Sequence, residues 1–91
     1  MKKILVVDDE VGTIEALKAI FYQRYEVLTA TCVEEVFKVL EDNRIELLLL
    51  DIILPKDDGL EILRELHQRY PDTPVIMLSA VSSTSTIAEA I

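Results

Sequence analysis

A chain of 91 residues with 9 basic and 17 acidic side chains, net charge −8, is read as one small domain with a marginal core, because a domain of this size buries only about 60–70% of the surface its unfolded chain exposes. The acidic excess, with no basic cluster beyond Lys2-Lys3, argues against a face for direct contact with nucleic acid or an anionic membrane. One cysteine rules out an internal disulfide, and no apolar run approaches the ~20 residues of a membrane span or the core of a signal peptide, so a cytoplasmic location is expected.

In chain order, the first element is Ile4-Leu5-Val6-Val7, a continuous apolar run that stops at Asp8-Asp9-Glu10. A run without alternation marks a strand covered on both faces. Ile14, Leu17 and Phe21 then recur at helical spacing. Residues 25–30 form the second strand candidate. Val33, Val36, Phe37 and Leu40 form the second helical stripe, with Thr31 as the expected N-cap and Glu34 and Glu35 behind it. Leu47-Leu48-Leu49-Leu50 is another doubly covered strand, with two leucines expected on each face, and it ends at Asp51. Asp58 with Glu61 behind it reads as the next N-cap, ahead of a stripe of Leu60, Leu63, Leu66 and Tyr70. Pro74, tolerated at the first residue of a strand, introduces residues 75–78, then Ser79 and the small Ala80. A fourth helical stretch begins near Ser82. Strands alternating with helices of ten or so residues predict an α/β fold, a parallel sheet with helices on both faces.

In such a sheet, ligands bind beyond the carboxyl ends of the strands, where this sequence places Asp8, Asp9, Asp51 and Ser79. Three carboxylates brought together repel one another unless a pKa rises or a cation binds. Their oxygen donors select Mg²⁺ or Mn²⁺ over zinc or copper. Beside such a cation a carboxylate can be the nucleophile that accepts a phosphoryl group, with a hydroxyl holding one of its oxygens. Asp51 is best placed as that nucleophile and Ser79 as that hydroxyl. His67 reads as a surface residue, Cys32 as a small filler, and Asp57 and Asp58 as a solvated turn residue and a helix cap. Glu10 fits a supporting role and an ordinary helix start equally well.

The stretches Ile4-Leu5-Val6-Val7-Asp8-Asp9-Glu10, Leu48-Leu49-Leu50-Asp51-Ile52-Ile53-Leu54-Pro55-Lys56-Asp57-Asp58-Gly59 and Pro74-Val75-Ile76-Met77-Leu78-Ser79-Ala80, in this order and spacing, resemble the receiver domain of bacterial two-component response regulators. The resemblance covers essentially the whole of residues 1–91. It implies a flavodoxin-like, doubly wound parallel sheet of strand order 2-1-3-4. It also implies a phosphoacceptor at Asp51, metal-binding acids at Asp8 and Asp9, and a backbone carbonyl from Ile53 to the metal. Ser79 takes the place of the hydroxyl that binds the phosphoryl group and moves on activation, and Ala80 that of the small residue giving access to it. The implied cofactor is Mg²⁺ or Mn²⁺, the implied phosphodonor a histidine kinase or phosphotransfer protein, and the output domain is unknown. No independent substrate turnover is implied.

Other chemistries on this fold fit less well. A flavodoxin-type phosphate loop is absent, and Asp8-Asp9-Glu10 would repel a bare phosphate. Asp51-Ile52-Ile53 lacks the second acid of a haloacid-dehalogenase-type phosphatase, and no P-loop or dinucleotide fingerprint occurs. The family also has a fifth strand ending in a Lys that contacts the phosphoryl oxygens, and a fifth helix. No lysine follows Lys56. The expectation is therefore a receiver that stops within its fourth helix, impaired in phosphorylation, and self-associating through the sheet surface left bare. The alternative is a receiver-derived structural or oligomerising module without the chemistry.

Overall fold

Among the described residues four strands and three helices alternate: β1 (Lys2–Val7), α1 (Val11–Phe21), β2 (Tyr25–Ala30), α2 (Val33–Asp42), β3 (Ile45–Asp51), α3 (Gly59–Arg69) and β4 (Val75–Leu78). They are seen in a computed structural model that describes residues 1–78; Ser79, Ala80 and the stretch expected to be helical from Ser82 lie outside the described residues. Every strand pairing is parallel and the order is β2-β1-β3-β4, as expected.

The uniform leucine run of β3 is divided between two cores. Leu48 and Leu50 join Leu5 and Val7 under α2 and α3, against Val36, Phe37, Leu40, Ile62, Leu63 and Leu66. Leu49 joins Ile4 and Val6 on the opposite face, where partly exposed Ile14, Leu17 and Phe21 of α1 cover the sheet. Because both central strands bury both faces, the polar alternation that marks a half-exposed strand is missing from them.

The two faces are unequal. The α2/α3 side holds the larger buried cluster, while α1 leaves Val11 and Ile20 largely exposed. On that same side Ile76 of β4, paired with Leu49, remains 51% exposed.

Two local expectations need correction. The buried stripe of α3 is Ile62, Leu63 and Leu66, and Leu60 is only partly buried; the helix is rotated relative to the stripe read from leucines alone. The N-cap of α2 is Cys32 rather than Thr31, whose hydroxyl donates to Glu35 Oε1 at 2.6 Å instead of accepting from the helix. Asp58 does cap α3, accepting from the backbone N–H of Leu60 at 2.9 Å.

Candidate functional site

The sheet register determines which acids meet. Val7 of β1 pairs with Leu50 of β3, so the next residues, Asp8 and Asp51, leave adjacent parallel strands side by side. The chain turns one way from β1 to β2 and the other way to β3, so these ends flank the point where strand order reverses, the usual ligand crevice of an open α/β sheet. Asp8, Asp9 and Asp51 each offer a carboxylate oxygen, all within 4.8 Å of one another.

The three acids differ in surroundings. Asp8 is the buried charged side chain among the described residues, 3% exposed. Its backbone N–H extends the sheet by donating to Ala30 O, and its Oδ1 accepts from the Glu10 backbone N–H at 3.0 Å. That bond bends the chain into α1 and turns Asp9 outward, where it is exposed. Asp51 is partly buried, and its Oδ1 accepts from the Ile53 backbone N–H at 3.1 Å. Burial pushes the Asp51 carboxyl above the usual aspartate value of 3.8, against the lowering effect of the Ile53 N–H. The negative charges of Asp8 and Asp9 add to the rise, as does a hydrogen bond to Asp8 that only a protonated carboxyl can supply.

Buried or half-buried like charges with few hydrogen-bond donors are costly unless a cation neutralises them. Three oxygen donors with this spacing fit a hard divalent ion such as Mg²⁺ or Mn²⁺ and lack the nitrogen or sulfur that zinc prefers.

The β3–α3 loop wraps this cluster. Ile53 forms an isolated antiparallel bridge with Asp58, and the Gly59 N–H donates to Ile52 O at 3.0 Å. The loop thereby turns back on itself, leaving the Ile53 side chain 59% exposed and Leu54 buried. Glu10 is the N-cap residue of α1, and its side chain makes no cap bond. His67 is exposed, away from the acids on the last turn of α3. Cys32 is partly buried and its thiol donates to Glu35 Oε1 at 3.4 Å. Asp57, expected as a solvated turn residue, is instead partly buried and accepts from the Val33 backbone N–H at 3.0 Å. The sequence carries no signal for it, because Thr31, a good capping residue, stands one position before Cys32 and is the expected cap.

Residues 4–91 match the response regulator receiver domain. The chain belongs to this family. Among curated receiver-containing relatives, it is 41% identical over 80 residues to the alkaline phosphatase synthesis transcriptional regulatory protein PhoP of Bacillus subtilis, covering 87% of this chain and 33% of that protein. The chain thus spans about a third of the length of the curated relatives it matches. Two solved receiver structures are similar at the level of sequence as well as fold. One is the response regulator TrrA of Thermotoga maritima in complex with Mg²⁺-BeF, with 36% identity and TM-score 0.85 over 99% of this chain and 79% of that one. The other is TrrA in complex with the histidine kinase ThkA, with 39% identity and TM-score 0.80 over 92% of this chain and 73% of that one. In this receiver of two-component signalling, the three clustered acids lie at the carboxyl ends of the two central strands. No helix among the described residues is long and apolar enough to cross a membrane.

Proposed function

We propose that this receiver domain is a cation-dependent phosphoacceptor switch in which Asp51 is the phosphorylated residue. The observation that carries the reading is the meeting of Asp8, Asp9 and Asp51 within 4.8 Å at the carboxyl edge of the two central strands. Carboxylate oxygens of these residues, with the backbone carbonyl of Ile53, would hold Mg²⁺ or Mn²⁺, and the ion supplies charge neutralisation for the incoming phosphoryl group. An Asp51 oxygen attacks phosphorus, the bond from phosphorus to the donor breaks, and the donor leaves with that electron pair. With a phosphohistidine donor, the imidazole nitrogen then takes up a proton. Asp8 and Asp9 keep the site acidic enough to attract the cation. The Ile53 N–H holds Asp51 in one orientation.

Ser79 and Ala80 take the roles of phosphoryl-binding hydroxyl and neighbouring small residue in this proposal, by resemblance alone. The kinase-bound and Mg²⁺-BeF-bound structures of TrrA support a histidine kinase as donor and Mg²⁺ as cofactor here. The name of the relative PhoP supports gene regulation as the output of the protein in which this domain works. A cytoplasmic location goes with the same reading. Incubation with Mg²⁺ and a small acyl phosphate, followed by intact-mass measurement, is expected to add one phosphoryl group to the wild type and none to Asp51→Asn. No adduct on the wild type would favour the structural-module alternative.

Self-association is a separate proposal. It is supported by the exposure of Ile76, Val11 and Ile20 on the α1 side of the sheet among the described residues, since exposed apolar surface can serve as a contact between copies. Sedimentation velocity across a dilution series is expected to show a concentration-dependent dimer; a monomer throughout removes the idea.

A further inference from the structure

The first turn of α2 lacks a cap from its own sequence. The first four N–H groups of a helix have no acceptor within it. Cys32 at the N-cap makes no side-chain cap bond. Thr31, one residue before the N-cap, turns its hydroxyl to Glu35 Oε1 at 2.6 Å, and its backbone N–H donates to the same oxygen at 3.3 Å. The acceptor for the Val33 N–H is instead Asp57 Oδ2 at 3.0 Å, from a residue 24 positions away. A carboxylate at a helix N-terminus is favoured by the helix dipole as well as by the hydrogen bond.

Asp57 lies in the same short loop that begins at the candidate phosphoacceptor. At its start, the Ile53 N–H is bound to Asp51 Oδ1. At its end, Asp58 caps α3 and bridges back to Ile53, and Gly59 is bonded to Ile52. Those contacts fix the loop on itself and on α3; Asp57 is what fixes it on α2.

We propose that Asp57 is a positioning residue: by clamping the β3–α3 loop onto the first turn of α2, it sets where the Ile53 backbone lies against Asp8, Asp9 and Asp51, and so couples occupancy of the cation site to α2. The inference rests on the cation-site reading above. It goes further in assigning a residue that touches neither the cation nor the phosphoryl group, and an element, α2, that registers binding. Coupling of this kind is reciprocal: if the clamp strengthens cation binding by some factor, the cation strengthens the clamp by the same factor.

The test uses the full chain, Mg²⁺ titration calorimetry and hydrogen exchange of the Val33 amide, on wild type, Asp57→Ala and Asp57→Asn. Asparagine keeps a carbonyl acceptor for Val33 and removes the charge, which separates positioning from simple attraction of the cation. Asp57→Ala is expected to weaken Mg²⁺ binding about fivefold, with Asp57→Asn within about twofold of wild type. Protection of the Val33 amide is expected to rise with Mg²⁺ in wild type and Asp57→Asn, and to be independent of Mg²⁺ in Asp57→Ala. Equal affinity in wild type and Asp57→Ala overturns the proposal, as does equal weakening in both variants, which would be a charge effect. Failure of the underlying reading looks different: wild type would bind no Mg²⁺, or bind it with an affinity that Asp51→Asn leaves unchanged, and the proposal would fall with it.

Discussion

Asp51→Asn is expected to raise the thermal midpoint of the cation-free protein at pH 7 while removing most of the stabilisation that Mg²⁺ gives the wild type. The carboxyl of Asp51 is pushed above its usual 3.8, first by burial and then by Asp8 and Asp9. Below pH 3.8 the side chain is protonated in both folded and unfolded chains, and the folded state carries no penalty. As pH rises through the raised native value, the unfolded chain gives up the proton more readily than the folded one, so stability is lost. Asparagine is neutral throughout and can still accept the Ile53 N–H through its Oδ1. The advantage of Asp51→Asn therefore grows from about pH 3.8 upward and levels off once the native carboxyl is ionised. The lost penalty shows as a higher melting temperature for the variant at pH 7 than for the cation-free wild type, with the gap closing as pH falls toward 3.8.

Mg²⁺ reverses the ranking. A ligand present at about 100 times its Kd stabilises by roughly 2.7 kcal/mol, and the wild type offers it three carboxylates where the variant offers two. Calorimetric melts from pH 4 to 8, with and without Mg²⁺, check both halves. A variant that melts below the wild type at pH 7 without Mg²⁺ would mean that the Ile53 hydrogen bond outweighs the crowding of charge.

Strands and strand-end acids were legible in the sequence because their signals are local. A buried parallel strand is an unbroken apolar run, and an acid at its end is simply the next residue: Val7 then Asp8, Leu50 then Asp51. Once the order 2-1-3-4 is inferred, the register of β1 on β3 brings those acids together with little further freedom. Features that depend on how one element is turned against another were not legible. Leu60 and Ile62 both fit a stripe with Leu63 and Leu66, and only the docking of α3 decides that Ile62 is buried. The bond from Asp57 to Val33 joins segments 24 residues apart. Nothing in Lys56-Asp57-Asp58 distinguishes an acid reaching α2 from an acid in solvent. Thr31, a good capping residue, stands one position before the actual N-cap Cys32, so the sequence does not even show that an acceptor is missing.

Gly59→Ala is the substitution expected to destabilise the fold most directly at the site. Gly59 does not adopt a left-handed conformation, so its freedom of φ is not the reason for a glycine here; space is. A Cβ at this position would lie 2.5 Å from Ile52 Cα, 2.5 Å from Ile52 O and 2.6 Å from Asp51 O. All three are backbone atoms, which cannot swing aside as a side-chain tip can. Relief requires α3 to withdraw from β3 or the loop to shift, breaking the Gly59 N–H to Ile52 O bond. Either movement disturbs the packing of Ile62 and Leu63, while Asp51 itself is among the residues pushed. Overpacking of this kind costs about 2–3 kcal/mol, a fall of roughly 10–20 °C in Tm. Gly12→Ala is the informative contrast, because the nearest neighbour of a Cβ there is the flexible Glu10 Oε1 at 3.9 Å. It replaces a helical glycine in the first turn of α1 and is expected to be neutral or to stabilise by up to about 1 kcal/mol. Melting curves of the two variants give the signs, and Mg²⁺ titration of Gly59→Ala, below its own transition, is expected to show weakened binding. Wild-type affinity in that variant would mean that Asp51 and the Ile53 backbone hold their positions without the close approach of α3.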